Sequence, residues 1–274
     1  MVTSGGVLSS GAYFGEAITQ RSRAGLTLTE TRYRAGEDLP AHAHERAFVS
    51  LLVAGGYSER YRPTQTVDYE PWSAVYHPAG EVHVTRMTRA GGRVANIELD
   101  PVWLERMEGF APAPHTAPDR QAGALVWAAA RLRRTLTSSI ASQGEAVEAL
   151  GYELLGALAG SFAMQGKPPR WLARVLDRLH DELPNVPGTE ALAKEAGVHP
   201  VHLARVFRRF QGTSMAESVR RLRIQRACRL LGTPGPGLAM VASLTGFADQ
   251  SHFTRAFRAV TGTTPAAFRR SLAG

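Results

Sequence analysis

The sequence predicts a multidomain chain: an all-β N-terminal domain, a helical connector and an all-α C-terminal domain. Three observations carry that reading. Residues 25 to about 100 alternate apolar and polar side chains, with turn residues at short intervals. Residues 119–164 switch to the helical period. From residue 189 onward, a helix, a tight turn and a second helix occur twice. The expected boundaries are 1–112, 113–167 and 168–274, with the paired helices at about 189–211 and 238–261.

Composition narrows the class. A chain of 274 residues can bury a sizeable core in each of two domains. Residues 168–274 hold 16 Lys and Arg against 7 Asp and Glu, a net charge of +9. Residues 1–167 hold 16 against 17, a net charge of −1. The basic character therefore belongs to the C-terminal part, which points to a nucleic-acid binder joined to something else. The arginines do not fall on one amphipathic anchor helix, so a membrane surface is not the expected partner. "ALVWAAA" at 124–130 is the longest clear apolar run and is far too short to span a bilayer. The first 22 residues lack the basic start and apolar core of a signal peptide. A single cysteine, Cys228, cannot form an internal disulfide, which fits a reducing cytoplasm.

The β domain reads as short strands. "AGLTLTETRYRAG" and "RAFVSLLVAGGYSERYR" alternate, with turns expected at Gly55–Gly56 and Pro63–Thr64. "WSAVYHPAGEVHVTRM" and "GGRVANIELD" continue the pattern. Many short strands at regular spacing favour a sandwich or jelly-roll barrel. "GEDLPAHAH" sets His42 and His44 at i, i+2, on one strand face. "HPAGEVH" adds His83, and His77 faces either the same interior or solvent. Tyr57, Tyr61, Trp72 and Tyr76 are candidates for a cavity wall or for plain core.

Two amphipathic helices follow. Leu125, Ala129, Leu132 and Leu136 share one face of the first, and Val147, Leu150, Leu154, Leu158 and Phe162 one face of the second. These faces can pack on the barrel or form a dimer surface. "GKPPR" at 166–170 breaks the chain before the next helix.

The C-terminal repeat is visible in "LAKEAGVHPVHLARVFRRFQGTS" (192–214) and "VASLTGFADQSHFTRAFRAVTGTT" (241–264). Leu192 and Gly197 match Val241 and Gly246 at one offset; His202, Arg205, Phe207 and Gly212 match His252, Arg255, Phe257 and Gly262 at an offset one larger. The second copy therefore carries one more residue in its turn. Thr189 is the expected cap of the first short helix, His199 caps the next with Pro200 at its first position, and Asp249 caps the corresponding helix of the second copy. Both second helices have an apolar stripe: Leu203, Val206, Phe207 and Phe210, then Phe253, Ala256, Phe257 and Val260. Between the copies, Ser214 and Glu217 form a capping box for one long helix whose core residues are Val219, Leu222, Ala227, Leu230 and Leu231. Thr264 caps a last helix with Pro265 at its first position.

The paired motifs, the "GFADQSHFTRAF" core and the "GTTPAAFRR" ending resemble the DNA-binding domain of AraC/XylS-type transcription regulators. The resemblance covers about the last hundred residues. It implies two helix-turn-helix motifs, each placing its second helix in a major groove of double-stranded DNA. Carried over by position, it implies base reading by Val201, His202 and Arg205 in one helix and by Gln250, Ser251 and Arg255 in the other. His199 stands where Ser is usual, and Val201 where a larger or polar residue is common. Arg205 and Arg255 suit base or phosphate contact. Arg208, Arg209 and Arg258 are candidates for phosphate contact or for a solvated face.

The two histidine segments resemble the motifs of cupins, a fold common among the sensor domains of that family. The glutamate such a metal site would carry near Phe48 or Val49 is absent, Met87 stands where asparagine is expected, and Trp72 stands where the second motif begins with glycine. The resemblance implies a bacterial-type cytoplasmic regulator that binds a small-molecule effector in a pocket containing His42, His44, Tyr57, Tyr76 and His83. No catalytic residue and no cofactor are expected; His42, His44 and His83 are the ligands to consider if the pocket holds a divalent metal. RNA polymerase is a further partner if the regulator is an activator. The rival reading is a metal-dependent cupin enzyme fused to a DNA-binding domain. A DNA-repair alkyl acceptor would need an accessible thiolate, and Cys228 reads as helix packing.

Overall fold

A computed structural model describes residues 6–62, 65–107, 123–138, 144–162, 168–233 and 235–273. The chain divides into two compact units, Met1–Phe162 and Ala163–Gly274. The first contains eight strands: β1 (Val7–Leu8), β2 (Glu16–Arg23), β3 (Leu26–Tyr33), β4 (Asp38–His44), β5 (Phe48–Arg62), β6 (Gln65–Tyr69), β7 (Ala74–His77) and β8 (His83–Leu99). Three helices follow: α1 (Pro101–Met107), α2 (Gly123–Thr137) and α3 (Gly144–Phe162).

Strand β8 organises this unit. Its second half, Gly92–Leu99, pairs antiparallel with β3, while His83–Arg86 pairs with β4. Along most of its length it also pairs with β5. One strand can serve both ends of the sheet only if it bends. Glycines supply the bend: Gly55 has φ +79, lies opposite Gly92, and is flanked by register shifts on β5. A Cβ on Gly55 would sit 2.0 Å from the Gly91 carbonyl oxygen. A left-handed glycine inside a ladder is a bulge, not a reversal. The turn expected at Gly55–Gly56 is therefore absent, and β5 continues through it as one bent strand. Gly91 and Gly92 lie in the interior of β8. Pro63–Thr64 lies outside the described residues.

Trp72 adopts φ +67, a conformation that costs a bulky residue about 1–3 kcal/mol. Its amide donates to the Leu52 carbonyl at 2.7 Å, and its ring stacks on Trp127 of α2 at 5.8 Å. The position thus keeps a glycine-like backbone while spending the side chain on helix docking. The connector helices bury Leu125, Ala129, Leu132 and Leu136 on α2, and Val147, Leu150, Leu154 and Leu158 on α3, as expected, while the side chain of Phe162 lies outside the described ones. α2 packs on the strands and on α3, so these faces are occupied within the unit.

A buried carboxylate ties α2 to the sheet. Glu30 on β3 is 1% exposed and accepts from Arg133 at 2.8 and 2.9 Å, and from Arg93. Burial alone would raise its carboxyl, but the two guanidiniums outweigh burial and hold it below the ordinary 4.5. A carboxyl lowered in the folded state contributes stability above its unfolded pKa and loses it as pH falls through the folded value. Glu30→Gln should therefore flatten the acid limb of urea unfolding followed by circular dichroism, and cost about 3 kcal/mol at neutral pH. An unchanged acid limb would show that the pair is not the acid-labile element.

The second unit is helical: α4 (Arg170–Asp181), a 3-10 turn (Leu183–Asn185), α5 (Thr189–Ala196), α6 (Pro200–Gln211), α7 (Met215–Leu231), α8 (Leu238–Leu244), α9 (Gln250–Thr261) and α10 (Pro265–Ala273). One core joins Leu172, Val175 and Leu179 of α4 to Leu192 and Ala193 of α5 and Leu203 and Phe207 of α6. At the other end of α7, Phe247, Phe253, Phe257 and Phe268 form a chain of ring contacts 5.3–5.5 Å apart. The caps form locally. His199 accepts from the Val201 amide, Asp249 from His252, Ser214 from Glu217 and Thr264 from Ala267. Gly188, not Thr189, is the N-cap of α5, and Thr189 is already its first helical residue. Glu217 turns away from a reciprocal cap to bind Arg220 and Arg221. Ile224 and Cys228 are buried on α7, where Val219, Leu222 and Leu230 are only half-buried.

Gly246 requires its residue type. It has φ +80, and a Cβ there would meet the Pro184 carbonyl oxygen at 2.5 Å. The turn between α8 and α9 is thereby pressed onto the 3-10 turn, which Arg223 also holds through the Leu183 and Pro184 carbonyls. Phe257 is fully buried under α9. Phe257→Ala should cost about 3–5 kcal/mol by opening a cavity. Thermal unfolding of the variant checks this, and a loss under 1 kcal/mol would contradict the packing.

Candidate functional site

The apolar stripes of α6 and α9 fix what those helices show to solvent. Leu203 and Phe207 are buried on α6, and Phe253, Ala256 and Phe257 on α9. Val201, His202, Arg205, Arg208 and Arg209 are exposed on α6; Gln250, Ser251, His252, Arg255 and Arg258 are exposed on α9. At an offset of 50, positions 201, 202, 205 and 208 match 251, 252, 255 and 258 along helices of 12 residues each, while Gln250 and Arg209 have no counterpart in the other set. Arg205 donates to His202 Nδ1 at 3.2 Å, so these two side chains orient each other. His252 rests edge-on against Phe247, with ring centroids 5.3 Å apart. Its amide holds the Asp249 carboxyl below the ordinary range, with Arg255 adding to the effect. Val201 is 69% exposed, an apolar side chain left in water at the start of α6.

The first unit carries a different site. A cavity of about 40 Å³ opens among the strands, walled by His42, His44, His77, His83, Glu59 and Tyr57, with Tyr13 and Tyr33 beside them. Four of the five predicted pocket residues are thus together. Tyr76 is not a wall: it precedes His77 on β7 and takes the opposite face. His42 lies directly across the ladder from His83. The four imidazoles and Glu59 are each under 5% exposed. Burial, reinforced by neighbouring rings, pushes His42 down to about 4 and His44 to about 3; burial pushes His83 to about 4 and His77 well below its usual value. At neutral pH these rings are uncharged and can offer lone pairs. Glu59 accepts from Tyr61 at 2.5 Å and from Thr85 at 3.2 Å. Glu45, the acidic residue next to the histidine pair, faces solvent. Cys228 is buried and its thiol is raised by that burial, the opposite of an activated nucleophile.

A family model described as a helix-turn-helix domain matches residues 192–271. Over 103 residues the chain is 30% identical to the HTH-type transcriptional activator AarP of Providencia stuartii, covering 38% of this chain and 76% of that protein. The chain belongs to the AraC/XylS-type family of transcription regulators. It is also 34% identical over 99 residues to the HTH-type transcriptional regulator GlxA of Rhizobium meliloti (strain 1021). That match spans 36% of this chain and 31% of GlxA. The solved structure of ToxT from Vibrio cholerae O395 aligns over 92% of this chain and 100% of its own, at 10% identity and a TM-score of 0.41. Among the described residues of this AraC/XylS-type chain, no helix is long and apolar enough to cross a membrane.

The exposed faces generate a three-way test. Arg255→Ala removes no core residue; it should weaken specific DNA binding by roughly 1–3 kcal/mol and relax preference at one or two base pairs. Arg258→Ala should weaken binding to all sequences and flatten the salt dependence by about one unit. Titrations on selected and random DNA at several salt concentrations separate the two. An equal loss on both DNAs for Arg255→Ala would assign that residue to the backbone.

Proposed function

We propose that the chain is a sequence-specific DNA-binding transcription regulator whose N-terminal unit senses a small effector. The helix pairs α5–α6 and α8–α9 serve as helix-turn-helix reading heads, and the β unit is a cupin-like jelly roll. The observation that carries this reading is the matched exposure of 201, 202 and 205 with 251, 252 and 255 on the unit of net positive charge. Each exposed set combines an arginine, suited to guanine, with small or polar neighbours. Val201, exposed at the tip of α6, suits a thymine methyl group better than any hydrogen-bonding edge. Gln250 suits adenine. Arg208, Arg209 and Arg258 supply phosphate contacts that set affinity without sequence preference. An effector that binds the β unit differently in two states of the protein would shift DNA affinity by that difference. A homodimer, and RNA polymerase for an activator, complete the expected partners.

The rival, a metal-dependent cupin enzyme fused to a DNA-binding domain, is favoured by one observation, the buried contact of Glu59 with His77 and His83. The cavity of about 40 Å³ is smaller than an ordinary organic-ligand pocket, for a substrate and an organic effector alike. Selection of bound sequences from a random DNA pool tests the main reading, using both the full chain and residues 163–274. Both should enrich the same motif, with non-specific binding that falls steeply with salt. A folded 163–274 fragment that binds no DNA even at low salt would overturn the proposal.

A further inference from the structure

The exposed arginine of α6 is braced from outside its own helix pair. Arg205 Nη2 donates to His202 Nδ1 at 3.2 Å, one helical turn back on the same face. A guanidinium can only donate, so His202 Nδ1 presents its lone pair and the ring proton sits on Nε2. The His202 ring lies in turn beside the Trp171 ring, with centroids 6.1 Å apart and planes at 53°. Trp171 is the second residue of α4, a helix that belongs to neither pair. It is half-buried and packs against the core that Leu172, Val175 and Leu179 share with α5 and α6. The indole is therefore held by the core and lies against the imidazole at a separation usual for aromatic pairs. A chain of contacts runs from the core through Trp171 and His202 to Arg205.

The matching arginine of α9 is held differently. His252 rests edge-on against Phe247, which lies in the turn of its own pair. Arg255 is near enough to the Asp249 carboxylate to help hold that group below its ordinary range. At the cap position where α9 has Asp249, α6 has His199, whose Nδ1 is engaged by the Val201 amide. A neutral acceptor cannot draw Arg205 as a carboxylate draws Arg255. The orientation of Arg205 thus falls to His202 and to what supports it. Orientation matters because the two acceptors of guanine are met only by a guanidinium in the right plane. A side chain ordered before binding also loses less conformational entropy on docking.

We propose that Trp171 and His202 are positioning residues for Arg205, so that α4, outside both helix pairs, helps determine the base preference of the α5–α6 head. This rests on the regulator reading and deepens it: His202 acts on sequence preference through Arg205 and not through its own contact with a base. The α8–α9 head has its support within its own pair, in Phe247 and Asp249. Loosening α4 at Trp171 therefore blurs one head and spares the other.

The test uses the full chain and a DNA site selected from a random pool, with affinity measured for that site and for each of its single-base-pair variants. Arg205→Ala and Arg255→Ala first mark the base pairs that each head reads. His202→Ala and Trp171→Ala should then lower discrimination at the Arg205 base pair by about 2–10-fold and leave the Arg255 base pair unchanged. In an Arg205→Ala background neither should have a further effect, because residues that act through one another do not add. His202→Asn should restore discrimination, since its Oδ1 can accept where Nδ1 does. Circular dichroism reports folding of each variant. If Trp171→Ala fails to fold, Trp171→Phe, which keeps a ring there and should keep the preference, decides together with the His202 variants. Losses that add to that of Arg205→Ala, a change at another base pair, or an equal loss on all DNAs would overturn the proposal. So would an Arg205→Ala variant that loses no discrimination. A wild-type chain that shows no sequence preference refutes the regulator reading itself, whereas a discriminating wild type with indifferent His202 variants refutes only the role given to Trp171 and His202.

Discussion

A 12-residue helix with Phe253 and Phe257 on one side can hide only that side. The burial of this stripe, and of Leu203 and Phe207 on α6, is the constraint from which the rest of the helical unit follows. It determines which residues remain outside, and at the matched positions in the two copies these are polar or basic apart from Val201. It also requires a wall for each stripe, which α5 and α8 begin and α4, α7 and α10 complete. α7 carries core residues for both copies, so the two exposed faces are held apart by a single rigid element rather than by a linker. Arg223 and Gly246 press the second turn onto the 3-10 segment, and a shift there would move α9 as a body.

The helical unit was legible in the sequence because its signals are local. Caps, proline at a first helical position, and a period near 3.6 lie within a few residues of one another, and duplication states each signal twice. The misreadings were small and local too. Gly188 takes the cap position because its backbone is extended there. Ile224 is buried where Val219 and Leu222 are half-exposed, since the α7 stripe serves two cores with different faces.

The β unit was legible in outline and not in register. His42 and His44 share a face by the period of two, and that survived. Gly55–Gly56 reads as a turn because glycine pairs usually are turns; here Gly55 faces Gly92 across a ladder, and the two long strands bend together. Missing that bulge hid Glu59. The sequence has no glutamate near Phe48 or Val49, but the β5–β8 ladder sets Glu59 opposite Thr85, with its carboxylate 3.5 Å from His83. One signal could have found it: Tyr57, Glu59 and Tyr61 alternate on one face, so a pocket containing Tyr57 implies a charged residue two positions on. Trp72 hid a second feature, since its left-handed backbone is recognisable in sequence only when glycine occupies the position. The cost of both choices is borne by packing, Trp72 against Trp127 and Glu59 against Tyr61 and Thr85.

The central claim is that two reading heads, fixed by α7, address DNA together. Hydroxyl-radical footprinting of the full chain on a selected DNA site measures this directly. The account predicts two protected patches on one face of the duplex, centred about 34 Å apart, one helical turn. A single patch, or two patches on opposite faces, would mean that α6 and α9 do not enter successive major grooves.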